Sequence, residues 1–462
     1  MSSDAPETPP LSPDVLDEAH LLRSVVRLAW PVVVQQVSFA MVQLVDTALV
    51  GDLGQDALAG VRLAGQIFWI SLSGMTAVGV GATAVIARAV GARRTGDADK
   101  TLRTAAILAL IWGIGIGVGM WFLGEWSLGM LGAEEGAKQE GATYLKASAI
   151  GMPFWSLMFA GSAALQGAGD TRLPMVIGVI VNIINAILSY VLINGIGPAP
   201  QLDVQGAGVG FSIAAMLGAV LTFGALAMRR GALHWAPSRA AEFDRGEAGR
   251  ILNVGVPAGL EQGQFMFAFM LYTRVIATLG TAAVAAHGVT LALQGLTFGV
   301  GFAISVATSA IVGQSLGAKR PDLAEKSTYL AMRYSVGFLL VLAVVFILLG
   351  DEITGIFISG EDAAEVIDLG SDLLFIFAFA MPALGVSLSI SGALRGAGDT
   401  RSVLLITAGC TWIVRLIPAY LLAITFGLGV QGAWLAAILD INVRSVLLFI
   451  RFRQGKWKHM KV

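Results

Sequence analysis

The chain has 462 residues, of which 56% are apolar and only 13% are Asp, Glu, Lys or Arg. Soluble proteins carry about 25% charged residues, so a soluble chain of this length would lack a solvated surface, and the mean hydropathy of +0.76 agrees. A net charge of −1, a single cysteine (Cys410) and no phosphate-binding loop exclude a nucleic-acid binder, an internal disulfide and a nucleotide-hydrolysing site. These values predict a polytopic membrane protein without cofactor, metal, nucleotide or nucleic-acid partner.

A membrane-spanning helix needs about 20 mainly apolar residues. The sequence contains twelve such segments and not the short alternating strands of a β-barrel. We therefore predict an all-α polytopic membrane protein with 12 transmembrane helices. Their predicted bounds are 25–50, 61–89, 102–124, 142–166, 172–195, 205–228, 249–278, 283–315, 328–349, 370–394, 402–426 and 430–450.

The charges of the connecting loops predict the orientation. One set of loops and the end of the chain contain most Arg and Lys residues, whereas the opposite loops are acidic, with Lys138 as their one clear base. Because basic loops remain in the cytoplasm, we expect a multi-pass protein of the plasma (inner) membrane with both termini cytoplasmic. The predicted domains are a cytoplasmic N-terminal tail (1–22), an N-lobe with helices 1–6 (23–228), a cytoplasmic linker (229–248), a C-lobe with helices 7–12 (249–453) and a basic cytoplasmic tail (454–462).

The two halves of the chain repeat each other. Residues 164–172 read ALQGAGDTR and residues 393–401 read ALRGAGDTR, an offset of 229, and motifs nearer the start of each half repeat at an offset of 226. Because six helices per repeat return the chain to the same side, the halves form two six-helix bundles related by a parallel pseudo-two-fold axis, with a cleft suited to alternating access. The polar turn is read as a tight connection in which Asp170 or Asp399 caps the next helix.

Several further motifs are informative in their order and spacing. They are Pro31, Val45-Asp46-Thr47, Gly51-Asp52-Leu53-Gly54, the two GAGDTR turns, Leu279-Gly280-Thr281, Ala285-Ala286-His287 and Gly313-Gln314 with Gly317-Ala318. Over roughly 25–453 the chain resembles the multidrug and toxic compound extrusion (MATE) transporters of the broader MOP flippase superfamily, nearest the DNA-damage-inducible protein F-like branch. The resemblance implies an antiporter, not an enzyme, that exports organic, often cationic, compounds in exchange for H⁺ or Na⁺.

Asp46 is the candidate cation-coupling residue. An ionisable group at bilayer depth costs about 2.5–3.5 kcal/mol, so it is a functional candidate by default. No base other than Arg62 is expected at similar depth in the first half, so Asp46 should bind a proton or a small cation. The resemblance implies the same role. The alternative is that Asp46 lies solvated, or caps a helix, at the membrane interface.

The fifth predicted helix supplies neighbours for Asp46, namely Asn182, Asn185 and Ser189. The family often has Asn followed four residues later by Asp here, and this chain has Ser189 at the second position. One acid with neutral oxygen ligands favours H⁺ as coupling ion, although an Asp–Asn–Ser oxygen set could also hold Na⁺. The two Asn side chains could instead be interhelical hydrogen-bond contacts.

The second half has a charged cluster near the predicted midplane, formed by Glu261, Arg415, Asp440 and Arg444. Two acids and two bases balance, as buried charges should, and Asp440 and Arg444 are i,i+4 neighbours on one helix face. The cluster is either a structural salt-bridge network or a second coupling or gating site.

Pro31 and Pro257 occupy matched positions in helices 1 and 7. Each frees a backbone carbonyl and permits a helix bend, and we expect protonation of Asp46 to shift helix 1 between straight and bent forms. Some family branches carry second-half acids where this chain has Phe265 and Leu384, so the resemblance does not imply a sodium mechanism of that type.

The expected partners are a small organic, cationic and amphipathic substrate and the lipid bilayer, with the protein as a monomer. The alternative function is a flippase for a lipid-linked oligosaccharide or another polar lipid, which needs a strongly cationic cleft to hold pyrophosphate. The first half offers almost no base at that depth. An intramembrane enzyme would need more than His287.

Overall fold

The protein is described by a computed structural model that covers residues 21–228, 231–358, 363–460 and 462. Most of the predicted N-terminal tail and the first two residues of the predicted linker lie outside this range. The first half contains α1 (Leu21–Gly51), α2 (Gln55–Gly91), α3 (Thr95–Met130), α4 (Glu135–Ala149), α5 (Met152–Gly167), α6 (Arg172–Asn194) and α7 (Asp203–Ala227). The second half contains α8 (Arg245–Ala277), α9 (Thr281–Gly317), α10 (Pro321–Leu348), α11 (Gly350–Gly355), α12 (Ala363–Ala378), α13 (Met381–Ala397), α14 (Thr400–Gly409), α15 (Ile417–Tyr420) and α16 (Gly429–Arg453).

The helices account for the predicted membrane spans. Within the described residues, nine helical segments are long and apolar enough to cross a membrane, and two bent helix pairs raise the number to 11. The remaining long helix is α8, whose middle carries Glu261, Gln262 and Gln264 and is therefore less apolar. The all-α, twelve-span prediction is confirmed. Large apolar side chains are exposed along most of these helices, as expected where lipid rather than water surrounds a helix.

The fourth and tenth predicted spans are bent rather than straight. α4 and α5 meet at 57°, and α12 and α13 meet at 53°. In both pairs the second helix begins with Met-Pro, at Pro153 and Pro382, and proline is favoured at the first helical positions because its missing N–H is not needed there. The repeated Met-Pro pair therefore marks a repeated bend.

The eleventh span is irregular, unlike its counterpart α6. π-helical turns at Cys410–Leu416 and Leu421–Thr425 flank α15. Pro418 lies between them and cannot donate a backbone hydrogen bond, so the hydrogen-bond pattern around it has to shift. π-helical turns often occur at functional sites, and the first of these two turns contains Arg415.

The two lobes touch through small residues of α2 and α8. A Cβ atom added to Gly255 would lie 1.8 Å from the carbonyl oxygen of Ala77, and one added to Gly259 would lie 2.7 Å from that of Ser73. This glycine pair, four residues apart, brings the two backbones together as in other membrane helix pairs. The equivalent contact between α1 and α9 is made by larger side chains, including Val25, Leu28, Ala307 and Ile311.

The arginine-rich end of the bundle, here called the basic end, joins the two lobes and the last residues of the chain. Arg88 of α2 donates to the carbonyl oxygens of Ala397 and Met460, and Arg250 of α8 donates to that of Val462. Trp457, in a short 3₁₀ helix (Lys456–His459), is fully buried. The segment predicted as a basic tail is thus packed against the helices in its described part.

Asp170 and Asp399, the two candidate caps in the repeated turns, behave differently. Asp170 Oδ1 accepts from the backbone N–H groups of Arg172 and Leu173, which confirms the capping prediction for the first turn. Asp399 caps nothing. It is 1% exposed and pairs with Arg451 at 2.7 Å, because α16 brings the half-buried Arg451 guanidinium group to that position.

Candidate functional site

The first lobe places Asp46 of α1 against Asn185 of α6. The side-chain amide of Asn185 donates to Asp46 Oδ2 at 3.2 Å. Asp46 Oδ1 and Asn185 Oδ1 are both buried and have no hydrogen-bond partner. Asp46 as a whole is half-buried, and among the described residues no Arg or Lys forms an ion pair with it, so its carboxyl group has one neutral donor and no counter-charge. The predicted Asp46–Asn185 proximity is confirmed.

Ser189 and Asn182 occupy different positions relative to this pair. Ser189 lies one turn beyond Asn185, is 1% exposed, and its buried hydroxyl has no partner. Gly210 of α7 packs against it, since a Cβ atom there would lie 3.0 Å from the Ser189 hydroxyl. Asn182 instead donates to Ser38 Oγ of α1 at 2.9 Å. Asn182 is therefore an interhelical contact, and the structure shows no contact between it and Asp46.

The first-lobe group offers a carboxylate, an amide oxygen and a hydroxyl group to which a proton or a small cation could bind. Burial penalises the charged form of a carboxyl group, so protonation lowers the free energy of a buried carboxyl group that has no counter-charge. The buried oxygens of Asp46, Asn185 and Ser189 that lack partners are the available ligands. A cation would need more oxygen ligands than these three to replace its hydration shell.

Asp440 is the centre of one of two ion-pair groups in the second lobe. Arg444 reaches both carboxylate oxygens of Asp440 at 2.7 Å and also donates to Thr411 Oγ1 at 3.0 Å. Arg415 Nε lies 2.8 Å from Asp440 Oδ2, although its N–H is not aligned for a hydrogen bond. Asp440 is fully buried, so a single carboxylate pairs with one buried and one half-buried guanidinium group, Arg415 and Arg444, and the group carries an excess positive charge.

Glu261 belongs to a separate group, which corrects the prediction of one four-residue cluster. Its Oε1 accepts from Arg395 at 2.8 Å and from the hydroxyl of Thr407 at 3.2 Å, while Oε2 is buried without a partner. Thr407 and Thr411 are one helical turn apart, so the two groups lie at successive levels. The prediction was wrong because it placed Arg395 in a loop, whereas α13 continues to Ala397 and keeps that side chain between the helices.

An aromatic network surrounds Arg415. Its guanidinium carbon lies 5.8 Å from the ring centres of both Phe265 and Tyr272, within cation–π range. Tyr272 also contacts His287, whose Nδ1 accepts from the indole N–H of Trp434 at 3.2 Å. The Tyr272 hydroxyl and His287 Nε2 are buried without partners.

The repeat offsets point to the residues that sequence reasoning missed. At the offset of 226, Tyr272 is the counterpart of Asp46 and Glu261 is the counterpart of Gln35. Arg395 is the one position that differs between the two nine-residue strings, where the first has Gln166. The charged pair Glu261–Arg395 thus replaces two glutamines at matched positions, and that substitution was visible in the sequence.

The two predicted bend prolines lie inside continuous helices. Pro31 is buried within α1 and Pro257 within α8. Pro257 sits one turn before Glu261, and both are in the part of α8 that packs against α2. The structure therefore places each proline in a spanning helix between the basic end and the buried acid.

The fold and the sites define a class of protein, a multi-pass membrane transporter built from two repeated lobes with buried charges in each. Comparison with known proteins gives the family. The MatE family model matches residues 31–191 and again 257–421. The chain belongs to the MATE family of transporters, and it is not an enzyme.

Two relatives and one solved structure show how far the similarity extends. The probable multidrug resistance protein NorM of Thermotoga maritima is 29% identical, with 96% of this chain and 94% of the relative covered. The multidrug resistance protein PmpM of Pseudomonas aeruginosa is 27% identical, with 94% and 91% covered. A crystal structure of a mutant of the Vibrio cholerae MATE transporter VcmN superposes with a TM-score of 0.87 at 22% identity, with 95% and 97% covered. The chain therefore has the two-lobe MATE fold along nearly its whole length.

Proposed function

We propose that this transporter is a secondary antiporter that exports small organic, cationic and amphipathic compounds by alternating access, in exchange for H⁺ rather than Na⁺. The observation that carries the proposal is the half-buried Asp46 carboxyl group, whose Oδ2 accepts from Asn185 and whose buried Oδ1 has no partner. Among the described residues it forms no ion pair with a base. The relatives are named multidrug resistance proteins, and these names support export of organic compounds.

The proposed coupling follows from competition for one negative charge. When Asp46 is deprotonated, a cationic substrate in the first lobe supplies the missing counter-charge. When Asp46 is protonated, that attraction is lost and the substrate leaves. Proton and substrate therefore exclude each other from the same lobe. We propose that the bends permitted by Pro31 and Pro257 transmit the change to the lobes.

The proposed orientation puts the basic end in the cytoplasm. The connecting turns at this end contain Arg172 and Arg401, and the linker contains Arg239 and Arg245. Asp46 lies near the opposite end of α1, five residues before the helix ends at Gly51, where an external proton would reach it. We further propose that the protein works as a monomer in the inner membrane, with 23–228 and 249–453 as the N-lobe and the C-lobe.

The test is uptake of a fluorescent cationic dye into inverted vesicles, where an exporter transports inward, under an imposed pH gradient and then under a sodium gradient. Asp46→Asn keeps the shape of the side chain and removes its charge, so we expect transport to fall to background. Asp52→Asn, an exposed acid just beyond α1, is the matched control and should transport like the wild type. Transport driven by sodium alone would contradict the ion, and an active Asp46→Asn would contradict the coupling role. If no dye moves under either gradient, the result favours the alternative that the protein is a flippase for a lipid-linked oligosaccharide or another polar lipid.

A further inference from the structure

A cavity of about 510 Å³ lies at the basic end, between α1 and the start of α6. Arg27 and Arg172 line it, and neither forms an ion pair in the described structure. Thr171 also lines it, is 2% exposed, and its buried hydroxyl has no hydrogen-bond partner. A buried hydroxyl of this kind needs an explanation, and two arginines around one cavity form the fork that binds phosphate.

The second lobe has a matching corner, formed by α8 and the turn at Thr400 and Arg401, and hydrogen bonds within the protein close it. There the Thr400 hydroxyl donates to the Val254 carbonyl oxygen at 2.6 Å. Arg401 donates to Asn253 Oδ1 at 2.8 Å. The second turn is thereby bonded directly to α8, and each polar group has a partner within the protein.

The first lobe has the same residues with one decisive difference. At the repeat offsets, Thr171 and Arg172 are the counterparts of Thr400 and Arg401 in the second lobe. Leu28 is the counterpart of Val254, whose carbonyl oxygen accepts from Thr400. Arg27, however, stands where the second lobe has Asn253. Two guanidinium groups cannot hydrogen-bond each other because both are donors only. The corner therefore stays open, with an excess of donors.

The rest of the lining defines the class of ligand. Asp170 contributes one negative charge, but its Oδ1 is occupied by the N–H groups that begin α6, so the lining has a net charge of about +1 by formal charges. Leu173 and Val176 provide apolar surface, and Val176 is 47% exposed, so the cavity opens along the outside of α6. A ligand with a phosphate head and an apolar body matches both features.

We propose that this corner binds the phosphate head group of an anionic phospholipid from the leaflet at the basic end. Arg27 and Arg172 hold the phosphate oxygens, and the Thr171 hydroxyl donates the third hydrogen bond. The lipid takes the place of the direct turn-to-helix bond found in the second lobe. Binding then ties α1 to α6 in the lobe that carries Asp46. A free inorganic phosphate shares the head-group chemistry and is the competing source.

The experiment is native mass spectrometry of the purified full chain with added phosphatidylglycerol, and phosphatidylcholine as the neutral probe. Arg27→Asn copies the second-lobe pairing, so it should close the corner and weaken phosphatidylglycerol binding by about fivefold, the effect of one arginine at an anionic surface. Thr171→Val should weaken it to a smaller extent. Arg401→Gln, in the corner that the protein already closes, should bind phosphatidylglycerol like the wild type.

A folding control separates loss of the site from loss of structure. Without added anionic lipid, Arg27→Asn should melt at or above the wild-type temperature, because it gains a hydrogen bond to Arg172. Equal phosphatidylglycerol binding by wild type and Arg27→Asn would overturn the proposal. Displacement of the lipid by inorganic phosphate, with no preference for phosphatidylglycerol over phosphatidylcholine, would also overturn it in favour of a free anion. These readouts do not involve transport, so they stand apart from the test on Asp46.

Discussion

The two lobes descend from one repeated sequence but treat buried charge in opposite ways. In the first lobe, the half-buried Asp46 accepts from a neutral amide and forms no ion pair with any Arg or Lys that the structure describes. In the second lobe, Asp440 is held by both Arg415 and Arg444. An uncompensated acid can change its protonation at small cost, whereas a compensated one cannot without leaving buried cations behind. The repeat thus provides the first lobe with an acid that has no ion-pair partner among the described residues, and the second lobe with an acid that is shared by two arginines.

The matched positions sharpen this contrast. Where the first lobe has Asp46, the second has Tyr272, a neutral side chain beside Arg415. The regular helix α6 carries the amide neighbour in the first lobe, while its counterpart contains two π-helical turns and carries a guanidinium group. At this place in the repeat, the second lobe therefore has a tyrosine–arginine pair where the first lobe has a carboxyl–amide pair.

The largest effect is expected from removing the charge of each lobe's buried aspartate. Asp440→Asn leaves two buried arginines without a carboxylate, and breaking such a group costs about 3–5 kcal/mol of unfolding free energy. Asp46→Asn has no ion pair to break, so its stability should equal or exceed that of the wild type. Thermal or denaturant unfolding in detergent measures both. If the two variants lose equal stability, the proposed division between the lobes is wrong.

The second prediction uses a double-mutant cycle on Glu261 and Arg395, the charged pair that the second lobe has where the first lobe has two glutamines. Glu261→Gln alone leaves Arg395 inside the bundle without its acid and should cost about 3 kcal/mol. The double change Glu261→Gln with Arg395→Gln recreates the two glutamines of the first lobe, and it should fall within about 1 kcal/mol of the wild type. The coupling energy from unfolding experiments checks this. Additive losses would show that the pair does not interact.

The sequence allowed the architecture to be predicted because hydropathy and repetition are properties of long segments. Twelve apolar stretches and two copies of a nine-residue string need no knowledge of side-chain packing. The same holds for Asp46 and Asn185, since an acid in a spanning helix needs a partner and matched helices supply few polar candidates. Their contact at 3.2 Å follows that expectation.

The details of pairing could not be predicted, because they depend on where each helix ends and how it turns. Arg395 looked like a loop residue because it belongs to a polar turn string, yet α13 includes it. Arg415 and Asp440 were predicted to share one cluster and do lie 2.8 Å apart. The contact of Arg415 with Tyr272 could not be predicted, because the π-helical turn that contains Arg415 leaves no periodic signal. Asp399 differs from Asp170 only through Arg451, which lies 52 residues away in sequence.

The smallest effect is expected from the two aspartates of the repeated turns, and it extends the comparison of the lobes to their connecting loops. Asp170→Asn keeps a side-chain oxygen that can accept from the first N–H groups of α6, so its unfolding free energy should change by no more than about 0.5 kcal/mol. Asp399→Asn removes the charge that binds Arg451 at a site that is 1% exposed, and hydrogen bonds to charged groups contribute about 1.5–3 kcal/mol. Unfolding of both variants under identical conditions tests the difference. Equal losses of unfolding free energy would mean that the two turns stabilise the fold to the same extent despite their different partners. That result would contradict the difference between the lobes at this position.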